Sequence, residues 1–328
     1  MGLRVRVVAP AGPVGPGRLE AGLAALRARA CVVSLGHSVR HGWGHLAGSD
    51  EERAADLVEA LCHPELDLVW AARGGFGGLR LLPLLDWGRL AACRTRPALV
   101  GYSDLTSLQN VLRGRLDWPC WHAPMAATEL PDALDPLSAA SLAGLLASCS
   151  SGGAQDLCAI HETVGWRICR EEELTSCAAR LTLEATGFRQ VLGLSAASVW
   201  SSGRAAGPLA GGNLSVLTSL FGAWDGPAAG SLLLLEDHGE WPFRLDRHLA
   251  QLRNSGVLAS AAGVLLGSFL NCEEPDPDKA TFSAEELLRQ YLLPLGVPVL
   301  AGLPFGHVAP RLSIPLHGRA TLEAGTAD

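Results

Sequence analysis

The chain of 328 residues is 48% hydrophobic and 18% charged and carries a net charge of −7. That length is natural for two domains and ample for a large buried core. The acidic balance excludes a general nucleic-acid binder, which needs a basic face, and no run of like charges marks a polyelectrolyte partner.

The first residues, Met1 to Ala9, place Arg4 and Arg6 inside an apolar stretch that breaks at Pro10-Ala11-Gly12-Pro13. This stretch is expected to be a first strand and turn rather than a signal peptide. No segment reaches the ~18 uninterrupted apolar residues of a membrane span, so a cytoplasmic location and no membrane partner are expected. After the strand Arg4–Ala9, the Ala/Leu/Arg-rich Leu19–Ala30 is predicted helical and Cys31–Leu35 a strand. Asp50 is expected to cap a helix running to about Cys62, with Glu51 and Glu52 well placed in its first turn. Leu66–Ala72 is a strand, Gly77–Leu85 a short helix, Ala98–Tyr102 a strand and Asp104–Arg113 a helix. Strands alternating with helices imply a parallel sheet flanked by helices, whose ligands bind outside the carboxyl ends of the strands.

From about Leu130 to Gly207 the pattern weakens. Ser148-Cys149-Ser150-Ser151-Gly152-Gly153 and Ala196–Gly207 have the composition of a connector with an inserted segment. Regular patterning resumes near Gly211. Strands are expected at Ser231–Leu235 and Gly263–Phe269, and helices at Phe243–Asn254 and Ala284–Tyr291. Short strands follow at Val297–Ala301, Arg311–Leu316 and Ala320–Glu323. Glu240, Arg244, Asp246 and Arg247 have the spacing of helical ion pairs. The expected fold is α/β: an N-terminal flavodoxin-like parallel sheet and a second, smaller mixed α/β domain. The expected boundaries are 1–128, a connector over 129–207, and 208–328.

The nine cysteines are scattered, odd in number and form no CxxC pair. They are expected to be reduced, small apolar fillers rather than metal ligands.

Chemistry concentrates at strand ends. In Leu99-Val100-Gly101-Tyr102-Ser103-Asp104, a strand delivers Ser103 to its carboxyl end just where a helix begins. A hydroxyl there lies over helical N–H groups able to stabilise an oxyanion, although the string is not G-x-S-x-G. Taken alone, a helix cap by Ser103 or Asp104 explains the same residues. Arg73-Gly74-Gly75-Phe76-Gly77-Gly78 follows another strand and lets the backbone approach a ligand closely. It lacks the Gly-Lys-Ser/Thr ending of a P-loop and the acidic partner of a dinucleotide fingerprint. A tight turn is the simpler reading, a second oxyanion donor the functional one. A serine nucleophile needs a base and an orienting carboxylate. Among ten histidines, His307 stands out on a Pro- and Gly-bounded loop after a strand. Glu236 ends the apolar run Leu232–Leu235, where solvent exit is the alternative explanation.

Together these segments resemble the LD-carboxypeptidases, a serine peptidase family that includes murein tetrapeptide carboxypeptidases and microcin C immunity peptidases. The matching strings are Val8-Ala9-Pro10-Ala11-Gly12, Arg73-Gly74-Gly75-Phe76-Gly77, Gly101-Tyr102-Ser103-Asp104, Gly211-Gly212-Asn213-Leu214, Leu235-Glu236-Asp237, Pro242-Phe243-Arg244 with Asp246-Arg247, and Gly302-Leu303-Pro304-Phe305-Gly306-His307. They occur in family order across residues 8 to 307.

The resemblance implies a metal- and cofactor-free Ser-His-Glu triad of Ser103, His307 and Glu236. It implies oxyanion donors at the backbone of Asp104 and of Gly74-Gly75. It further implies a homodimer, an active site at the junction of the two domains, and cleavage of the amide between an L-centre and a D-amino acid. The expected substrate is a cytoplasmic murein tetrapeptide or a related small peptide. A peptidyl-nucleotide is the alternative, with Trp166, Trp200, Trp224 or Trp241 as platforms for a base. A binding protein without turnover on the same fold is the rival from another class. The stretch between Met125 and Gly211 looks longer than in compact family members.

Overall fold

The computed structural model describes residues 2–150, 177–194, 198–276 and 278–325, together with the backbone of strand residues 155–156, 161–163 and 166–168. Ser151-Gly152-Gly153, Cys158, Cys169 and the Trp166 side chain lie outside the described residues. Two compact units result. The first comprises Met1–Gly153 and Ser313–His317, the second Ala154–Leu312 and Gly318–Asp328.

The first unit runs β1 (Arg4–Val8), α1 (Pro16–Ala28), β2 (Val32–Leu35), α2 (Asp50–Leu61), β3 (Leu68–Ala71), α3 (Gly78–Leu81), α4 (Trp87–Ala92), β4 (Ala98–Gly101), α5 (Leu105–Leu116), β5 (Cys120–His122) and α6 (Pro136–Ser148). Strands β2-β1-β3-β4-β5 lie side by side in that order, all parallel. This is the flavodoxin-like order, in which the chain reverses its direction of winding between β1 and β3. Every residue of β3 and β4 is buried, as strands covered on both faces require. Helix α2 has the anticipated acidic first turn, but its cap is Ser49 rather than Asp50: the Ser49 hydroxyl and the Glu52 carboxylate form a full capping box, and Asp50 is the first helical residue. From α2 the wholly buried Arg53 donates to the carbonyls of Gly48, Pro10 and Gly77 and pairs with Asp50. One guanidinium thus ties together the loops that follow β1 and β3.

The second unit contains β6 (Gln155–Asp156), β7 (His161–Thr163), β8 (Trp166–Ile168), β9 (Ala179–Ala185), β10 (Phe188–Leu194), β11 (Val199–Ser201), β12 (Gly203–Asn213), α7 (Leu214–Ser219), β13 (Leu232–His238), α8 (Pro242–Asn254), α9 (Val257–Ser260), β14 (Gly263–Leu270), α10 (Ala284–Leu292) and β15 (Val299–Leu300). Near the end of the chain come β16 (Ile314–Pro315) and β17 (Arg319–Ala324). The sheet order is β11-β15-β14-β13-β12-β17-β9-β10-β8-β7, with β6 on β10. The long β12 joins two styles of pairing. Its residues 203–208 run antiparallel to β17, and residues 209–213 run parallel to β13. Glu236 sits on β13 where the register to β14 shifts, between Leu235↔Leu266 and Asp237↔Phe269. Such irregularities re-aim side chains at the end of a strand.

Two further expectations change. Of the strand expected over Arg311–Leu316, only Ile314–Pro315 pairs, and it does so antiparallel to β5, at the edge of the first unit's sheet. An apolar run encodes extension but not its partner, which tertiary context chooses. The ion pairs expected on α8 are also absent among the described residues. Arg244 lies over the rings of Trp241 and Phe243, Arg247 lies over Phe243, and Asp246 accepts from Tyr291 Oη at 2.6 Å. Exposed aromatic faces compete well with exposed carboxylates for a guanidinium.

The described cysteines are free thiols, with Cys31, Cys120 and Cys272 buried. Burial pushes the Cys272 thiol up to about 11. No helix among the described residues is long and apolar enough to cross a membrane.

Candidate active site

Strand β4 ends at Gly101, and two residues later the backbone of Ser103 turns into the left-handed region at φ +63°. A non-glycine residue pays for that conformation, and such strain persists where the surroundings fix it. They do so here. Gln109 Nε2, one turn into α5, donates to the carbonyls of Gly101 and Trp121 at 2.8 Å each, fastening the helix to the ends of β4 and β5. Asp104 occupies the position before α5 yet makes no capping bond to its own helix. Its Oδ2 instead accepts from Gly78 N at 2.7 Å, across to the glycine-rich loop after β3. Burial pushes the Asp104 carboxyl up, opposed by the Gly78 and Gly77 N–H groups and the Arg53 charge.

The glycine-rich loop comes against the serine. A Cβ on Gly74 would stand 3.0 Å from Ser103 Cβ and 3.1 Å from its Oγ. Gly75 follows at φ +116°, a conformation open chiefly to glycine. The first unit therefore gathers Ser103, Asp104, Gly74 and Gly75 at one carboxyl edge of the sheet. Gly74→Ala is expected to cut kcat/KM about 100-fold by displacing the Ser103 hydroxyl. It should leave the far-UV spectrum and the melting temperature nearly unchanged, because Gly74 has no positive φ; unimpaired turnover would contradict the close approach.

The second unit brings Glu236 and His307 together. Glu236 is wholly buried at the end of β13, and its Oε2 lies 2.8 Å from His307 Nδ1. The His307 side chain remains 21% exposed and stacks on the His238 ring, with centroids 5.0 Å apart. The contact depends on Gly306 at φ +89°, where a Cβ would fall 2.5 Å from Glu236 Oε2. Only glycine allows the loop to lay the imidazole on a buried carboxylate. Such a contact fixes one imidazole tautomer and turns Nε2 away from the carboxylate.

Comparison with known proteins identifies the family of the chain. The LD-carboxypeptidase N-terminal domain model matches residues 5–123, and the C-terminal domain model matches residues 206–322. The murein tetrapeptide carboxypeptidase of Pseudomonas aeruginosa is 34% identical over 98% of this chain and 93% of its own. The Bacillus subtilis protein named "Probable murein peptide carboxypeptidase" is 32% identical over 97% of this chain and 88% of its own. The chain belongs to the LD-carboxypeptidase family.

As a family member it is a carboxypeptidase, and its fold recurs in solved structures. Muramoyltetrapeptide carboxypeptidase from Oxalobacter formigenes aligns with TM-score 0.71 at 23% identity, covering 98% of each chain. The microcin C7 self-immunity protein MccF in complex with aspartyl sulfamoyl adenosine aligns with TM-score 0.74 at 19% identity, covering 98% of this chain and 96% of that one.

This LD-carboxypeptidase also holds polar groups beside Glu236 that pattern reading did not single out. Asp237 is buried and accepts from Asn213 Nδ2, Ser215 N and His238 N at 2.9 Å each, and from Ser215 Oγ at 3.3 Å. Asn213 in turn caps α7 through Val216 N. The string Gly211-Gly212-Asn213-Leu214 carried the signal, because Asn213 lies in register with Glu236. Burial pushes the Asp237 carboxyl up to about 6, the His238 N–H, the Asn213 amide and the Ser215 N–H resist that rise, and the Glu236 charge adds to it. A carboxyl raised above its unfolded value favours folding while neutral, so this contribution is complete below about pH 4 and is lost as pH rises through 6. Asp237→Asn is therefore expected to lower the melting temperature more at pH 4.5 than at pH 7.5. An equal deficit at both values would refute the linkage.

Proposed function

We propose that this LD-carboxypeptidase removes the terminal D-alanine from murein tetrapeptide in peptidoglycan recycling, by a Ser-His-Glu mechanism. The observation that carries the reading is the 2.8 Å contact between buried Glu236 and His307 Nδ1. An imidazole held in this way accepts a proton at Nε2 and is steadied as imidazolium by the carboxylate. Ser103 Oγ attacks the carbonyl carbon of the L,D-amide and its proton passes to His307. The backbone N–H groups of Asp104 and the Gly74-Gly75 loop face the oxyanion of the tetrahedral intermediate. His307 then returns the proton to the departing amine, the C–N bond breaks and D-alanine leaves. Water repeats the sequence on the acyl-Ser103 ester, freeing the tripeptide and regenerating the hydroxyl.

The murein substrate is supported by the two carboxypeptidase relatives of Pseudomonas aeruginosa and Bacillus subtilis, both aligned over nearly the whole chain. Mass spectrometry of a murein tetrapeptide digest is the test, run beside a peptidyl-adenylate. Loss of one D-alanine from the tetrapeptide is expected. An intact tetrapeptide with a cleaved peptidyl-adenylate would reverse the assignment, and cleavage of neither would favour a binding protein without turnover.

A further inference from the structure

We propose that Arg73 forms the subsite for the free α-carboxylate of the departing residue, which makes the enzyme a carboxypeptidase rather than an endopeptidase. The inference rests on the reading of Ser103 as nucleophile and extends it to the far side of the scissile bond. An enzyme that removes only a terminal residue has to distinguish a carboxylate from a continuing amide, and a guanidinium fork is well suited to do so.

Arg73 lies between the end of β3 and Gly74, the residue whose Cα faces the Ser103 side chain. Its side chain folds back across the crevice between β1 and β3, where the winding of the sheet reverses. A Cβ on Gly12 would lie 3.4 Å from Arg73 Nε, and one on Gly75 would lie 3.9 Å from Nη2. The two loops are themselves joined, with Gly12 N donating to Gly74 O at 3.2 Å. Open α/β sheets bind their ligands in that crevice.

The charge there is available. Arg53 and Arg80, the other arginines tied to this loop, both pair with Asp50. Arg73 is exposed and meets no carboxylate among the described residues; its one hydrogen bond runs from Nη1 to the Pro13 carbonyl at 3.3 Å. Glycines at 12 and 75 keep the guanidinium unobstructed, so one loop supplies both an oxyanion donor and a cation within a single residue's reach of Ser103. A carboxylate anchored on Arg73 would set the depth at which the peptide's last amide meets the nucleophile.

The test compares kcat/KM for murein tetrapeptide with that for the same peptide ending in D-alaninamide, in wild type, Arg73→Gln and Arg73→Lys. Glutamine removes the charge while keeping a polar amide on the exposed loop, and circular dichroism checks the fold. Wild type is expected to favour the acid about 10- to 100-fold, the worth of a charge-assisted pair. Arg73→Gln should abolish that preference through a raised KM for the acid, with the amide rate unchanged, and Arg73→Lys should restore part of it. An unchanged preference in Arg73→Gln, or an equal loss on both peptides, overturns the carboxylate subsite alone. A wild type that cleaves neither peptide overturns the murein reading and this inference together.

Discussion

Ser103→Ala is expected to lower kcat/KM by about 10⁴- to 10⁶-fold, the range in which removal of a serine nucleophile falls. The melting temperature should stay within a degree or two of wild type. Alanine retains the Cβ that meets the backbone cost at φ +63°, so backbone strain is the same in both proteins. The Gln109 bonds that fix the turn run to main-chain carbonyls and survive the change. A steady-state assay with the tetrapeptide, paired with thermal unfolding, separates lost chemistry from lost structure. Turnover within tenfold of wild type would remove Ser103 from the reaction.

The second large effect is expected from Glu236→Gln, with a loss of about 10³- to 10⁴-fold in kcat. The closest physical analogy is a buried aspartate replaced by asparagine behind a catalytic histidine, where the geometry survives and the imidazole takes the wrong tautomer. Here the cost has a second source. Glu236 Oε1 is buried with no hydrogen-bond partner among the described residues, so a glutamine that keeps its oxygen toward His307 would bury an amide N–H₂ in that place. If it turns instead, it presents N–H to Nδ1 and holds the imidazole with its proton on Nε2, where the base function fails. Either orientation weakens the site, and the first also destabilises the fold by about 1–3 kcal/mol. Measuring kcat together with the unfolding free energy distinguishes the two orientations, and an unaltered kcat would exclude Glu236 as the orienting acid.

Much of the first unit was legible in the sequence because its central strands are continuous apolar runs. Leu68–Ala71 and Ala98–Gly101 are buried throughout, and the first is followed by the glycine-rich turn Gly74–Gly78 that marks a sheet edge. The position of Ser103 after a strand could be read, but its left-handed backbone could not, since no glycine stands there. The helix-cap explanation lost ground only when Asp104 proved to reach across to Gly78 rather than into α5. The pairing of Glu236 with His307 joins residues 71 positions apart, and no local pattern encodes it; matching family strings identified both residues. Asn213 and Asp237 stayed hidden for a related reason, as their contact follows from the parallel register of β12 and β13. The ion pairs expected along α8 failed because spacing on a helix says nothing of the aromatic rings beside it.

The short strand Ile314–Pro315 bears on how members of this family could exchange parts. Because the chain leaves the second unit at Leu312, contributes an edge to the first unit's sheet, and returns at Gly318 to supply β17, neither unit is one continuous stretch of sequence. A chimera that takes residues 206–322 from a relative would import a foreign edge for β5 along with the donor's Glu and His positions. Crossovers between homologous genes should thus survive only where the incoming 313–317 segment suits the resident β5, and a gene fragment ending at residue 153 would encode a sheet with one flank bare. The two units would then be inherited as a pair.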